Sequence, residues 1–278
     1  MGTMRALIQE NRMNSSSSFA TGEAPDRERT LGFAGSPNFR DAGGYAVDGG
    51  QLHWGRLFRS GHLAALSSEE QERLAALELA LVVDLRRADE RDWEPSRLPP
   101  GTAVHGADIT PGSHTSAIYA DSTQLGGAQA MHRFMCDINR EFVRSQTGVY
   151  REVFAALLDS GADRVLFHCA AGKDRTGFAI AMLQAALGVS IDDIEADYLL
   201  SGQYFLVEEQ IGRIRAKYAV DHLGDADLAP MMYTDLAYLR SALDEISVGW
   251  GDTDVYLEEG LGLGVVERRE LRRRFVDA

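Results

Sequence analysis

The chain has 278 residues, 45% of them hydrophobic and 25% charged, which suits one globular domain. A net charge of -14 argues against a nucleic-acid or anionic-membrane surface, because both need a basic footprint. The only two cysteines, Cys136 and Cys169, exclude a disulfide framework, so a reducing, cytoplasmic setting is expected.

Residues 1–29 are polar, carry the run Ser15-Ser16-Ser17-Ser18 and lack periodicity, so they read as a disordered tail before a domain over 30–278. Met1 to Ala20 has no apolar centre of a secretory signal, and no run of about 18 apolar residues suggests stable membrane insertion. Turns are expected at Gly43-Gly44 and Asp48-Gly49-Gly50, followed by a short strand through Leu57-Phe58-Arg59. Ser67-Ser68-Glu69-Glu70 is a capping box opening a helix to about Leu77, and residues 79–85 read as a central strand. A further strand is expected over 102–105, and residues 108–128 are rich in Gly, Ser and Thr and read as a long loop. Helical patterns over 130–145 and 148–158 precede the apolar run Arg164-Val165-Leu166-Phe167, a buried strand. A helix follows from Thr176, and Ser190 caps another. Two long amphipathic patterns cover 203–219 and 229–246, with Phe205, Ile211, Ile214, Leu236 and Leu239 on the apolar side. The arginines at 268, 269 and 272–274 fit a solvated face of a last helix. Strand and helix alternate, which predicts an α/β fold: a single domain with a central, mostly parallel sheet flanked by helices.

The most informative stretch is Phe167-His168-Cys169-Ala170-Ala171-Gly172-Lys173-Asp174-Arg175-Thr176-Gly177. It sets a cysteine and an arginine around a small-residue loop between the strand and the helix. At a helix N-terminus, unpaired backbone N–H groups and the positive end of the dipole converge on an anion. Ala170, Ala171 and Gly172 let the backbone approach closely, while Lys173, Asp174, Arg175 and Thr176 complete the phosphate cradle. The same environment favours a Cys169 thiolate, and the Arg175 guanidinium can clamp a phosphoryl group with two donors. Cys136 reads as a buried core thiol, expected to oxidise after Cys169.

The stretch resembles the signature of the cysteine-based tyrosine phosphatases, His-Cys-x5-Arg-Thr/Ser-Gly. The chain is similar to the bacterial branch that includes the mycobacterial tyrosine phosphatase B, through residues 38–44, 55–60, 82–86, 196–201 and 256–262. The resemblance implies a phosphatase-like domain with a helical lid around 203–246, no cofactor and no metal, and export without a cleaved signal as a further possibility. It implies hydrolysis of phosphomonoesters through a cysteinyl-phosphate: phosphotyrosine first, with phosphoserine, phosphothreonine and phosphoinositides as additions. The substrate partner is then a phosphorylated protein or phospholipid.

Cys169 is the expected nucleophile, and Arg175 with the loop amides stabilises the transferring group. Asp174 and Asp108 are both candidates for the proton donor, with Asp174 favoured because the motif anchors it. Lys173, at a place where lipid phosphatases of the tensin type carry Lys, is expected to offer a second cation to a doubly phosphorylated ligand. His168 is expected to orient the loop and help keep Cys169 ionised. An inositol polyphosphate phosphatase and a phosphate-binding pseudophosphatase are the alternatives. The other six histidines read as surface or core groups rather than ligands.

Overall fold

The computed structural model describes residues 28–110, 127–205, 207–218 and 223–277. Most of the expected N-terminal tail and the centre of the long loop after Asp108 lie outside the described residues. In chain order come β1 (Arg40–Asp41), β2 (Ala46–Val47), β3 (Gly50–Leu52), β4 (Leu57–Ser60), α1 (Ser68–Ala75), β5 (Leu81–Asp84), α2 (Ala88–Trp93) and β6 (Val104–Gly106). Then follow α3 (Ala128–Arg144), α4 (Thr147–Asp159), β7 (Val165–His168), α5 (Asp174–Leu187), α6 (Ile191–Leu199), α7 (Ser201–Tyr204) and α8 (Val207–Tyr218). The chain closes with α9 (Asp225–Met232), α10 (Leu236–Trp250), a short turn of helix α11 (Thr253–Val255) that runs into a π turn, α12 (Val265–Phe275) and β8 (Val276–Asp277).

The main sheet has the order β1-β4-β7-β5-β6. Strands β4, β7, β5 and β6 are parallel, and β1 pairs antiparallel with the edge of β4. Alternate side chains feed two cores, as the period of two requires. Leu57, Leu81, Val83, Val165 and Phe167 join the larger core with Phe154, Phe178 and Ile180. Phe58, Val82 and Leu166 join Phe33, Phe39, Leu66 and Leu74 on the opposite face. Because both faces are covered, these strands read as apolar runs rather than as alternating patterns.

The capping box at Ser67 and Glu70 forms with both reciprocal bonds, and Ser190 caps α6 as its sequence predicts. The two long helical patterns are each interrupted. The first divides into α7 and α8. The second breaks between α9 and α10, where Asp235 turns its carboxylate onto the Ala237 N–H and caps a new helix. Asp235 and the nearby Pro230 are the local sequence signals of this second break.

Strand β7 ends at His168, at the C-terminal edge of the parallel sheet, and α5 begins six residues later at Asp174. In open α/β sheets this edge is where ligands bind. Helix α5 is buried along nearly its whole length and holds the loop against the centre of the molecule. Among the described residues, no helix is long and apolar enough to cross a membrane.

Candidate active site

Cys169 lies at the base of the loop, 2% exposed, and the Gly172 N–H points at its sulfur from 3.3 Å. Gly172 takes a positive φ of 67°, and a Cβ there would come within 2.4 Å of the Ser60 backbone. Glycine is therefore required twice over, for the turn and for the close approach.

The loop carbonyls are held from behind. The Arg59 guanidinium donates to the carbonyls of Gly172 at 2.9 Å and Lys173 at 3.4 Å. The Asn38 amide donates to Gly172 at 2.8 Å and Ala171 at 3.3 Å. Carbonyls fixed on that side leave the Gly172 N–H directed toward the sulfur, which is the polarity an anion needs. Behind these donors, Asp197 takes Arg59 at 2.6 Å and Arg40 at 3.6 Å, and Arg40 donates to the Asp197 carbonyl at 2.8 Å and to Asn38. Ser201 completes the group by accepting from Asn38, Arg40 and Arg59.

Two guanidinium groups and one carboxylate are thus buried together, with one positive charge in excess under the loop. Burial, and then the like charge of Arg59, lowers the Arg40 pKa to about 10, against the pull of Asp197; it remains charged at neutral pH. Burial alone would raise the Asp197 pKa, but Arg40 and Arg59 more than offset it and hold the carboxyl below its usual range.

Arg175 stands in the first turn of α5, and Glu90 of α2 grips its guanidinium at 2.5 and 3.2 Å. Glu90 is itself buried and also accepts the Arg87 N–H at 3.1 Å, so one carboxylate caps a helix and orients the arginine. The Arg175 guanidinium also donates to the Leu85 carbonyl at 3.3 Å, and Tyr150 donates its hydroxyl to the Arg175 carbonyl at 3.2 Å.

His168 departs from its expected role. It is fully buried, with Nε2 3.4 Å from the Asp84 carboxylate, and burial lowers its pKa to about 4 despite that carboxylate. The ring is therefore neutral at physiological pH and supplies no positive charge to Cys169; its contribution is to shape. Asp84 would be raised by burial, but the two-pronged Arg86 contact at 2.9 and 2.7 Å holds it below its ordinary value.

Lys173 also departs from expectation. Its ammonium is 2% exposed and donates to the carbonyls of Met231 at 3.0 Å and Tyr233 at 2.5 Å, at the break between α9 and α10. It ties that segment to the loop. Burial lowers its pKa, while Asp174, 3.8 Å away, pulls in the opposite direction. Above the loop, Phe205, Val207, Leu228 and Met232 form a small buried cluster against which Ala171 packs.

Of the two candidate acids, Asp174 lies at the start of α5 and accepts from the Tyr198 hydroxyl at 3.4 Å. Asp108 follows β6, is 55% exposed, and pairs with Arg91 at 2.7 Å. The remaining loop residue, Thr176, is buried within α5. Among the described residues, no group of three or more His, Cys, Asp or Glu side chains is placed to hold a metal ion.

Residues 31–277 match the tyrosine phosphatase family. A tyrosine-protein phosphatase of Cupriavidus necator is 37% identical over 245 residues, covering 86% of each chain. The triple specificity protein phosphatase PtpB of Mycobacterium tuberculosis is 30% identical over 274 residues, covering 84% of this chain and 95% of the relative. With a cysteine-and-arginine loop at the sheet edge and similarity along nearly its full length, the chain belongs to the tyrosine phosphatase family and is a phosphatase enzyme.

Proposed function

We propose that the enzyme hydrolyses phosphomonoesters in two steps through a cysteinyl-phosphate on Cys169. The observation that carries this reading is the Gly172 N–H aimed at the Cys169 sulfur while the loop carbonyls are tied to Arg59 and Asn38. A phosphoryl group over the sulfur would meet the amides of residues 170–175 and, on Arg175, a guanidinium already oriented by Glu90. The thiolate forms the S–P bond as the bond to the leaving oxygen breaks, and Asp174 passes a proton to that oxygen. Water then attacks phosphorus, Asp174 takes its proton, and the S–P bond breaks to return thiolate and inorganic phosphate.

Asp174 is the acid in this reading because it lies within the loop-to-helix turn and is steadied by Tyr198, whereas Asp108 is exposed and paired with Arg91. Phosphotyrosine is the primary substrate class. The range extends to phosphoserine, phosphothreonine and phosphoinositides, and the triple specificity in the name of the mycobacterial relative supports a range wider than one substrate class. Helices α8 to α10, reaching the loop through Lys173 and Ala171, act as the lid over this site.

Leaving-group dependence tests the assignment. Asp174→Asn should slow phenyl phosphate far more than p-nitrophenyl phosphate, whose leaving oxygen needs little protonation, and should erase the basic limb of the pH profile. Asp108→Asn should give a smaller loss that does not depend on the leaving group; the reverse pattern would transfer the role to Asp108.

A further inference from the structure

Away from the phosphate loop, the second cysteine is set in an array that the phosphatase reaction does not use. His132 and Cys136 are one turn apart on α3 and therefore share a face. The imidazole Nδ1 is 3.9 Å from the Cys136 sulfur, and Nε2 is 3.0 Å from an Asp235 carboxylate oxygen. The other Asp235 oxygen accepts the Ala237 N–H at 2.9 Å as the cap of α10, which fixes the carboxylate in place. Asp235 can only accept, so the neutral ring carries its proton on Nε2 and turns the Nδ1 lone pair toward sulfur. The Ala237 carbonyl, 3.9 Å from the sulfur, is the alternative acceptor for the thiol proton. This is the nucleophile, base and orienting-acid order of an activated thiol, built on two helices that pack together.

We propose that Cys136, His132 and Asp235 form a second reactive-thiol site, a modification site for hydrogen peroxide. Cys136 itself is 7% exposed, while the neighbouring His132 side chain is 38% exposed. So little exposed sulfur suits a small hydroperoxide better than a bulky disulfide. His132 takes the thiol proton, the thiolate attacks one peroxide oxygen, and the O–O bond breaks. The departing hydroxide collects the proton from the imidazolium as water, leaving Cys136 as a sulfenic acid. Sulfur is oxidised by two electrons and the peroxide is reduced by two.

In full-length Cys169→Ser protein, Cys136 is the sole thiol. That protein, folded or unfolded in urea, is treated with hydrogen peroxide, and oxygen uptake and dimedone capture are mapped to Cys136 by mass spectrometry. The folded protein should react about tenfold faster or more than the unfolded chain. His132→Gln should bring the folded rate down to the unfolded rate or below. Asp235→Asn, which retains a helix-capping side chain, should fall between them. Reaction no faster in the folded than in the unfolded chain, or an undiminished rate in either folded variant, would overturn the proposal.

Discussion

Beneath the phosphate loop, Asn38, Arg40, Arg59, Asp197 and Ser201 are all buried and bonded to one another and to the loop carbonyls. Above it, attachment runs through the Lys173 ammonium and a small apolar cluster around Leu228 and Met232. The lower contacts hold buried charges against one another, so losing one partner leaves an unpaired ion; the upper ones join one buried ammonium to two neutral carbonyls. The shape of the loop therefore rests more on its underside than on its cover.

Breaking the underside should have the largest effect. Asp197→Ala leaves Arg40 and Arg59 buried without their carboxylate, and we expect a loss of roughly 3–5 kcal/mol by urea unfolding. A loss under about 1 kcal/mol would mean that the charges are solvated and the underside is not rigid.

The acid limb of stability should be set by His168. The folded His168 pKa of about 4 lies below its unfolded value near 6.5, so the unfolded chain binds the extra proton between them. Its contribution is intact above about pH 6.5 and is lost as pH falls toward 4, by up to about 3 kcal/mol. Asp84, also depressed, adds acid sensitivity of the same sign. In His168→Asn the slope between these pH values should flatten; an unchanged slope would show that the ring is not held neutral.

The arginine clamp comes next. Glu90→Gln keeps the size of the side chain but removes the charge that orients Arg175, and kcat/KM should fall by about a hundredfold with a smaller change in stability. Activity within twofold of the parent would mean that the loop alone positions the guanidinium.

The smallest effect is expected above the loop. Lys173→Met should lower stability by about 1–2 kcal/mol, because the Met231 and Tyr233 carbonyls lose their donor. Hydrogen exchange should quicken in α9 and the start of α10, while α6 and α7 around Asp197 and Ser201 stay protected. Equal loosening on both sides would remove the contrast.

The sheet and the loop were legible in the sequence because their signals are local: apolar runs, a capping box, and a cysteine and arginine around small residues. The underside was visible only in fragments. The stretches 38–44, 55–60 and 196–201 stood out, but no spacing rule joins Arg59 to Asp197 across 138 positions. Arg40 and Arg59 within short strands were hints, since a buried charge requires a partner. Glu90 carries no sequence signal that sets it apart, and nothing near it in the chain reveals that its carboxylate meets Arg175. Lys173 and His168 stand in the expected loop, but the bonding of the one and the neutral ring of the other have no signal in the local sequence. Charge state and bonding depend on burial, and burial comes from residues far away in the chain.

The central claim, that phosphate passes through Cys169, is tested most directly by acid-quenching the enzyme during turnover of a phosphorus-labelled aryl phosphate and mapping the label. The account predicts a phosphate covalently bound to Cys169, absent from Cys169→Ser. Steady turnover with no labelled protein, or label on another residue, would contradict it.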